Sequence, residues 1–431
     1  MMNVGFEVSD LQPAKGGVYT YASQLLLHLA RLPDAPNLVL VDGLGYRSLQ
    51  ELQQHNQGAL PVSRFAGGRP LPLLSSLGGP WQKRYVRRLP WIADHYVLNP
   101  LWDRVRATPA AARWLLPNRR AGRLDVCHWS EDAFLLVPGT AHVVTVHDTI
   151  VLRHPRWQSR VNAKHRARKL RLAARFATRI IADSESTRRD TIELLGVAPE
   201  RIDVIPLAAG PAYQPPADHA AQRAVLARYG VREQDYILYV GAIEPRKNVV
   251  RLATAFKAAV ERSPELTTRL VLAGGRGGLA GAIDRGLEAL DLGGRLLMPG
   301  RVPQEDLPAL LNGARAVAYV SLYEGFGLPP LEAMACGAPV VASNTSSIPE
   351  VVGDAGLLVD PYSVDEIATA LHRVLTDDAL RDDLAARGPR RARRFSWTRT
   401  AELTLDTYRR AIATQRRHDS GTHLPRGEAI E

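Results

Sequence analysis

Residues 316–343, AVAYVSLYEGFGLPPLEAMACGAPVVAS, contain a complete strand, loop, helix and strand pattern. An apolar run ends at Ser321, a glycine-containing loop follows, and two prolines suit the beginning of a helix that Gly337 ends. This order of elements predicts two parallel strands joined by a crossover helix. The stretch also carries two carboxylates, Glu324 in the loop and Glu332, which we place in the first turn of the helix.

The same alternation of apolar runs and amphipathic stretches extends over most of the chain in two series. The first series includes strand-like runs at residues 2–8 and 142–148, and the second begins at residue 236 after a proline-rich segment. Alternating strands and helices predict an α/β protein with two doubly wound, Rossmann-like parallel-sheet domains. In such folds ligands lie beyond the carboxyl ends of the strands, so we expect a ligand in a central cleft that the two domains face.

The length and composition are typical of a globular protein. A chain of 431 residues exceeds one ordinary domain, with 45% hydrophobic and 23% charged residues. No apolar run reaches the roughly 18 residues of a membrane span, and the N-terminus lacks the basic segment of a signal peptide. The two cysteines, Cys127 and Cys336, are far apart, which indicates a reducing compartment. We expect a cytoplasmic location, with peripheral attachment to the inner face of the plasma membrane as an alternative.

The net charge of +11 indicates an attraction to polyanions. Residues 153–179 contain ten Lys or Arg and no Asp or Glu. This run favours an anionic membrane surface as a partner, helped by the tryptophan- and arginine-rich stretch at residues 81–114. The alternative is a solvated helix face whose arginines reflect a G+C-rich genome. Charge alone would also suit a nucleic-acid-binding protein, but we do not expect nucleic acid as a partner.

Glycine, basic and histidine residues follow several of the strand-like runs. Gly16 and Gly17 open a helix, where glycine admits a ligand and the free helix amides bind anions. Arg246 and Lys247 would meet a diphosphate, the arginine as a planar fork and the lysine as a point charge. His147 would bind a substrate hydroxyl or act in proton transfer. The alternatives are turn glycines, solvated cations and a histidine that is hydrogen-bonded to local backbone.

The two carboxylates of the opening stretch suit a ligand with two diols. A carboxylate only accepts hydrogen bonds, so Glu324 and Glu332 could each hold a vicinal diol, such as the hexose and the ribose of a nucleotide sugar. Without further context, two such glutamates are equally compatible with solvated acids. The backbone amides between them would bind the phosphates, and these belong to Gly325, Phe326, Gly327 and Leu328.

Six blocks of sequence together resemble a known family. They are YEGFGLPPLEAMACGAPVVAS with SIPEVVGDAGLLVDP, VGAIEPRKN, VLAGG, GRVPQEDLPALL and VTVHD. In the order in which they occur along the chain, beginning with VTVHD, they resemble glycosyltransferase family 4, whose members are retaining enzymes with the GT-B fold. The resemblance runs from Met1 to about Thr414. It implies an acceptor-binding domain at 1–207, a donor-binding domain at 208–396, a final helix at about 397–414 that packs back onto the first domain, and a flexible tail at 415–431.

The resemblance implies roles for the acids and cations of the second domain. Glu332 would hold the ribose hydroxyls, and Glu324 would contact the hydroxyls of the donor sugar. Arg246 and Lys247 would neutralise the diphosphate. Glu324, Arg246, Lys247 and His147 form the candidate catalytic set.

The resemblance also implies roles for residues outside that cluster. Gly17, next to Gly16, would give its amide to the phosphates, and His147 would contact the transferred sugar near the reacting carbon. The backbone around Arg301 and Val302 would meet the base. Members of the family need no metal, and no His or Cys pair with metal-ligand spacing occurs near His147. We therefore predict no metal and no cofactor beyond the donor itself.

The substrates and the exact route stay open at this level. GDP-mannose is the favoured donor, because GAIEPRKN resembles the corresponding block of mannosyltransferases, and UDP- and dTDP-sugars are alternatives. The acceptor would be a saccharide or a polyprenyl-diphosphate-linked precursor of a surface polysaccharide. Retention would follow from front-face attack or from a double displacement. A nucleotide-sugar epimerase of similar fold and a basic nucleic-acid-binding protein are the alternative functions.

Overall fold

A computed structural model of the chain describes residues 2–7, 16–42, 64–67, 124–130, 137, 139–157, 160–277 and 280–419. The chain divides into two compact α/β units. The first unit comprises the chain up to Asp183, residues 187–205 and the segment from Trp397 onward, and the second comprises Ser184–Ser186 and Pro206–Ser396.

The first unit contains a parallel sheet. Within the described residues its strands lie in the order β3-β2-β1-β4-β5-β6-β7. They are β1 (Asn3–Glu7), β2 (Asn37–Asp42), β3 (Arg64–Gly67), β4 (Val126–Ser130), β5 (Ala141–Val146), β6 (Arg179–Ala182) and β7 (Ile202–Val204). All six residues of β5, AHVVTV, are buried, as expected for a central strand of a parallel sheet.

Five α-helices accompany this sheet within the described ranges. They are α1 (Gly17–Leu29), α2 (Ile150–Arg153), α3 (Arg160–Phe176), α4 (Glu185–Leu195) and the C-terminal helix α13 (Trp397–Asp419). Short 3-10 turns lie at Pro155–Trp157 and Pro199–Arg201. Helix α4 ends before Gly196, whose φ of 64° is accessible to glycine at little energetic cost.

The C-terminal helix α13 packs against α1 and β5 of the first unit. Its Tyr408 hydroxyl lies 2.6 Å from Nδ1 of the buried His128, and Thr407 donates to Asp203 at 2.9 Å. The helix continues to Asp419, so residues 415–419, which we predicted to belong to a flexible tail, are helical. Residues 420–431 lie outside the described part of the chain.

The second unit repeats the same arrangement with a second parallel sheet. Its strands are β8 (Tyr236–Val240), β9 (Arg269–Ala273), β10 (Leu296–Gly300), β11 (Ala316–Tyr319), β12 (Val340–Ser343) and β13 (Leu357–Val359), in the order β10-β9-β8-β11-β12-β13. The chain adds strands on one side of β8 and then on the other, so the order reverses between β8 and β11. Ligands of open α/β sheets bind at such a reversal, beyond the carboxyl ends of the strands.

Eight α-helices connect or flank these strands in the described part of the second unit. They are α5 (His219–Arg228), α6 (Val249–Glu261), α7 (Ala280–Glu288), α8 (Leu307–Gly313), α9 (Leu328–Ala335), α10 (Ile348–Val352), α11 (Val364–Thr376) and α12 (Asp378–Ala392). Short 3-10 turns lie at Pro245–Lys247 and Gly293–Arg295.

The α/β class and the parallel sheets agree with the sequence-based prediction, with differences at the borders. The division falls between Ile205 and Pro206, close to the predicted 207. The segment Ser184–Ser186 groups with the second unit, because Ser184 donates to the Gly325 carbonyl at 2.6 Å and Glu350 accepts from the amides of Glu185 and Ser186. The tryptophan- and arginine-rich stretch at 81–114 lies outside the described residues.

Candidate active-site residues in the two units

The reversal point of the second sheet brings together two segments that are far apart in sequence. Strand β8 leads to the 3-10 turn that carries Arg246 and Lys247, and β11 leads to the loop that carries Glu324. Because β8 and β11 are parallel neighbours, both segments leave the sheet at its carboxyl edge. The predicted acid and the two predicted cations therefore meet there.

The carboxylate of Glu324 is held by three donors. Arg246 donates from Nη1 to Oε2 at 2.7 Å, and Lys247 donates from Nζ to Oε1 at 2.6 Å. The Tyr319 hydroxyl donates to the same Oε1 at 3.0 Å and lies 2.5 Å from Lys247 Nζ. Tyr319 was not among the residues predicted from sequence, because it lies inside an apolar strand and only the tertiary structure shows where its hydroxyl points.

Charge, rather than burial, sets the ionisation of Glu324. Burial alone would raise the pKa of this carboxyl, which is 8% exposed, but the charges of Arg246 and Lys247 hold the pKa at about 2. The carboxyl is thus ionised throughout the neutral range. For Lys247, burial and the charge of Arg246 lower the pKa, and Glu324 opposes that change.

A second acid balances the charge of this cluster. Arg246 Nε lies 2.8 Å from Oε1 of Glu244, two residues earlier in the chain. Arg246 therefore bridges Glu244 and Glu324, and two cations face two carboxylates. An arriving anion has to compete with these carboxylates for the guanidinium. The sequence block GAIEPRKN contains Glu244, but the pattern gave no sign of this pairing.

The loop around Glu324 is fixed from behind by the serines that precede α10. The fully buried Ser347 hydroxyl lies 3.0 Å from the Glu324 carbonyl and 2.7 Å from the Phe326 carbonyl. The Glu324 amide donates to Ser346 Oγ at 3.0 Å. The hydroxyls of Ser346 and Ser347 thus connect the glutamate loop to the segment that begins α10.

The beginning of α9 offers fewer amides than an ordinary helix. Leu328 is its first residue, so Pro329 and Pro330 occupy the next two positions and lack an N–H group. The capping Gly327 has a φ of 116°, and a Cβ there would lie 2.7 Å from a side-chain carbon of Ile348. The backbone amides that remain at this end of the helix are therefore those predicted from sequence, of Gly325, Phe326, Gly327 and Leu328.

Glu332 lies deeper in the helix than predicted. It is the fifth residue of α9 and not in the first turn, because the helix begins at Leu328. Burial raises the pKa of Glu332 to about 8, and a hydrogen bond with the Tyr213 hydroxyl acts in the opposite direction. Its side chain is 8% exposed, as is that of Glu324, yet its pKa moves the other way.

Arg301 and Val302 directly follow β10 at the outer edge of the same sheet. Strand β9 separates β10 from β8, so these two residues lie two strands away from the segment that carries Arg246. The Gly300 carbonyl accepts from the Gly274 amide at 2.8 Å, which joins the loops that follow β9 and β10.

The candidate histidine of the first unit has a carboxylate partner. His147 follows β5, and its Nδ1 lies 2.6 Å from Oδ2 of Asp183, which follows β6. The Tyr21 ring meets the imidazole edge to face, with centroids 4.6 Å apart. Asp183 and Tyr21 were not singled out by sequence, although ADS after a strand-like run was the available signal for Asp183.

The predicted glycine pair begins helix α1 of the first unit. Gly16 caps the helix with φ 58° and ψ −121°, and Gly17 is its first residue. Among the described residues, no atom lies within 4 Å of a Cβ built on Gly16, and the positive φ of this position favours glycine. Both residues are exposed.

Neither a metal-binding cluster nor a membrane-spanning helix occurs among the described residues. Among the residues that the structure describes, no group of three or more His, Cys, Asp or Glu side chains is placed to hold a metal ion. Within the same ranges, no helix combines the length and the apolar character that crossing a bilayer requires.

The chain matches two known family profiles over most of its length. The profile described as "Glycosyltransferase Family 4" matches residues 15–209, and the profile described as "Glycosyl transferases group 1" matches residues 226–391. The two matches correspond to the two halves of the sequence in which we predicted the acceptor-binding and donor-binding domains.

Two relatives with similar sequences are named as mannosyltransferases. O-antigen chain mannosyltransferase B of Escherichia coli is 36% identical over 303 residues, which is 69% of this chain and 79% of that protein. Serotype-specific mannosyltransferase WbdA of Escherichia coli is 32% identical over 260 residues, which is 57% of this chain and 30% of that protein. The chain thus spans less than a third of the length of WbdA.

A solved structure shares the fold at low sequence identity. HepE of Anabaena, crystallised with UDP and glucose, superposes with a TM-score of 0.64 at 19% identity and covers 95% of this chain and 100% of its own. The epimerase and nucleic-acid-binding alternatives are not favoured by any of these matches. Family profiles, relatives and fold agree that the chain is a glycosyltransferase of the GT-B class and belongs to glycosyltransferase family 4.

Proposed function

We propose that the chain is a retaining, metal-independent mannosyltransferase that takes mannose from GDP-mannose and adds it to a growing surface polysaccharide. The observation that carries the proposal is the cluster in which Arg246 and Lys247 converge on Glu324 at the reversal point of the second sheet. The relative that is 36% identical, named as an O-antigen mannosyltransferase, supports the choice of sugar and process.

The cations would stabilise the departing diphosphate. When the bond between the sugar carbon and the phosphate oxygen lengthens, negative charge builds on that oxygen. Arg246 is 23% exposed and bridges two carboxylates, so it can turn one of its donors toward the phosphates. Removing one such preorganised donor typically lowers the rate by about 10²- to 10³-fold.

The two glutamates would bind the two sugars of the donor. Glu324 is ionised at neutral pH and can only accept, so it would orient hydroxyls of the mannose. Glu332, with a pKa of about 8, can carry a proton near neutral pH and would both donate to and accept from the ribose hydroxyls. The amides of Gly325, Phe326, Gly327 and Leu328 would bind the phosphates.

Front-face attack would account for retention without a protein nucleophile. The anomeric carbon loses its bond to the diphosphate oxygen and becomes oxocarbenium-like. The acceptor hydroxyl forms the new bond on the same face, and its proton passes to the departing phosphate oxygen. No cofactor is needed, because the donor supplies both the activated sugar and the proton acceptor.

The family resemblance implies further donor contacts for residues outside the glutamate cluster. Gly16 and Gly17 would place an amide against the phosphates, and the backbone at Arg301 and Val302 would meet the guanine. His147 would contact the mannose.

The acceptor would be a saccharide, either free or linked to a polyprenyl diphosphate in an anionic membrane. Helix α3 supports this partner. It buries small apolar side chains such as Ala167 and Ala173, and it exposes Lys164, Arg171 and Arg175. A cationic helix face of this kind attracts anionic lipid at about 1 kcal/mol per basic residue near the surface. The location would be cytoplasmic and peripheral on the inner face of the plasma membrane.

The transferase proposal is tested with a panel of donors. The purified full chain is incubated with radiolabelled GDP-mannose, UDP-glucose or dTDP-rhamnose, with bacterial membrane extract as acceptor and EDTA present. We expect transfer from GDP-mannose only, into a product that α-mannosidase releases. A β-linked product would contradict retention, loss of activity in EDTA would contradict metal independence, and transfer from another donor alone would contradict the choice of GDP-mannose.

The membrane partner is tested by flotation with vesicles that contain 30% or no phosphatidylglycerol. The triple variant Lys164→Gln, Arg171→Gln and Arg175→Gln should lose most of the binding to anionic vesicles at low salt. The matched control replaces three exposed arginines of the second unit, namely Arg223, Arg232 and Arg285. Equal losses in both variants would show that net charge alone, and not helix α3, governs membrane binding.

A further inference from the structure

The first sheet places an acid beside the candidate histidine. Strands β5 and β6 are parallel neighbours, and their register pairs Val146 with Ala182. The next residue of each strand is therefore His147 on one side and Asp183 on the other. The register of these two strands thus places the two side chains next to each other.

The pair is short and withdrawn from water. Nδ1 of His147 lies 2.6 Å from Oδ2 of Asp183, and the side chains are 12% and 2% exposed. A contact of this length between buried groups is a strong hydrogen bond that fixes both partners. Burial raises the pKa of Asp183, and the adjacent His147 opposes that change.

The other side of the imidazole is also fixed. The Tyr21 ring meets it edge to face, and the Tyr21 hydroxyl lies 2.7 Å from Oγ1 of Thr145. That Oγ1 lies 2.7 Å from Nε2 of His128, which is anchored in turn to Tyr408 of α13. The ring of His147 is thus confined between an anchored aromatic ring and a buried carboxyl group.

Which nitrogen of a histidine carries the proton is decided by the partner of the other nitrogen. A carboxylate at Nδ1 can only accept, so Nδ1 carries hydrogen and Nε2 keeps its lone pair in the neutral ring. A lone pair at Nε2 accepts a hydrogen bond from a hydroxyl group.

We propose that Asp183 is a positioning residue that holds His147 in the Nδ1–H tautomer, so that Nε2 accepts a hydrogen bond from a hydroxyl of the transferred sugar. This inference rests on the proposed function, in which His147 contacts that sugar. Asp183 itself touches no substrate and acts through the orientation and the tautomer of the imidazole.

The kinetic test compares Asp183→Asn with wild type. The amide of asparagine can donate to Nδ1, which favours the opposite tautomer. We expect kcat to fall roughly 10- to 100-fold while KM for GDP-mannose changes less than about threefold, because the nucleotide carries most ground-state binding. Asp183→Glu, which restores an acceptor, should recover several-fold of the lost kcat.

A matched control separates this role from stability. Asp203 is the middle residue of the neighbouring edge strand β7 and accepts from Arg179 at 2.8 Å through both carboxylate oxygens. Asp203→Asn removes a largely buried carboxylate from the same sheet without touching His147. It should lower Tm and leave kcat unchanged. If Asp183→Asn keeps kcat within twofold of wild type, or if Asp203→Asn loses as much, the proposal is overturned.

A spectroscopic measurement on the wild-type protein tests the proposal even if the Asp183 variants do not fold. The ¹⁵N spectrum of histidine-labelled wild-type protein, with the His147 signals assigned by their loss in His147→Gln, reports the tautomer directly. We expect the Nδ1–H form, and an Nε2–H form would overturn the inference. If the wild-type protein has no transferase activity, the proposed function is contradicted. The spectrum would still show whether Asp183 holds His147 in the Nδ1–H tautomer.

Discussion

Glu324 and Glu332 have equal burial and opposite acidity. Each side chain is 8% exposed, yet the pKa of Glu324 is about 2 and that of Glu332 is about 8. Burial raises the pKa of both, and only Glu324 has two cations within hydrogen-bonding distance. The comparison teaches that strand order, which brings Arg246 and Lys247 to one acid and not to the other, determines the chemistry of each.

The largest effect on the transfer rate is expected from Glu324→Gln, which removes the negative charge of this side chain and keeps its size. Glu324→Gln keeps the size of the side chain and some hydrogen bonds to Lys247 and Arg246, so the fold should persist. The variant loses the strong acceptor for the sugar hydroxyls, and we expect the transfer rate to fall by about 10²- to 10³-fold. Initial rates with saturating GDP-mannose provide the measurement, and circular dichroism checks the fold.

Turnover of Glu324→Gln within tenfold of wild type would contradict the role of this carboxylate. The same substitution at Glu332 provides the comparison. It should raise KM for the donor more than it lowers kcat, since the ribose lies away from the reacting bond.

The next effect concerns the cation that Glu324 holds most closely. Lys247→Met keeps an unbranched apolar side chain but removes the ammonium, whose nitrogen lies 5.0 Å from the centre of the Tyr319 ring. A charge-assisted hydrogen bond contributes about 1.5–3 kcal/mol, so the affinity for GDP should fall roughly 10- to 100-fold. Isothermal titration calorimetry in EDTA gives the affinity. An unchanged dissociation constant would show that Lys247 serves only the fold.

The opposite acidities also predict opposite effects of pH on stability. The folded pKa of Glu332 is raised from its ordinary 4.5 to about 8, so its contribution to stability is complete below pH 4.5 and is lost as pH rises toward 8. Glu332→Gln removes that loss. We expect its Tm to match wild type near pH 5 and to exceed it by about 3–8 °C at pH 8.5.

Thermal denaturation of the ligand-free proteins between pH 4 and 8.5 measures this difference. Glu324→Gln serves as the control, because a lowered folded pKa stabilises above pH 4.5 and loses that contribution only as pH falls toward 2. A difference between Glu332→Gln and wild type that stays constant with pH would mean that Glu332 does not ionise in this range.

The smallest effect is expected at Glu244, which competes for Arg246. Its carboxylate lies 2.8 Å from the guanidinium and is 31% exposed, so the pair is partly screened by water. Glu244→Gln should release Arg246 and tighten GDP binding about two- to fivefold. Calorimetry at low and high salt measures the change, and weaker binding would show that Glu244 instead holds the guanidinium in its productive orientation.

The sequence was sufficient to predict both sheets and most strands. Strands β3 and β7 were missed: β3 is only four residues long, and β7 has three residues, IDV, too few to show a period. The sequence also named Glu324, Arg246 and Lys247 individually. It did not pair them with one another, because residues 77 or 78 positions apart meet only through the order β8-β11.

The ionisation states and the supporting contacts were beyond sequence patterns. Glu332 and Glu324 look alike in the sequence, and the difference in their pKa values arises from partners that the fold supplies. Asp183 directly follows β6, and Tyr319 is the last residue of β11. Both strands are recognised in the sequence by their apolar residues, so the pattern does not indicate a role for these two polar groups. Such residues are found from strand register, which depends on the whole sheet.

The return of α13 to the first sheet means that the second unit is an insertion within the first. The first unit needs Tyr408 against His128, so it cannot complete its core until almost the whole polypeptide has left the ribosome. Residues 206–396 have no such requirement, apart from three residues near position 185. During synthesis the later-made half could therefore reach its native state first, and chain-length-resolved proteolysis of stalled nascent chains would show protection there before the N-terminal half.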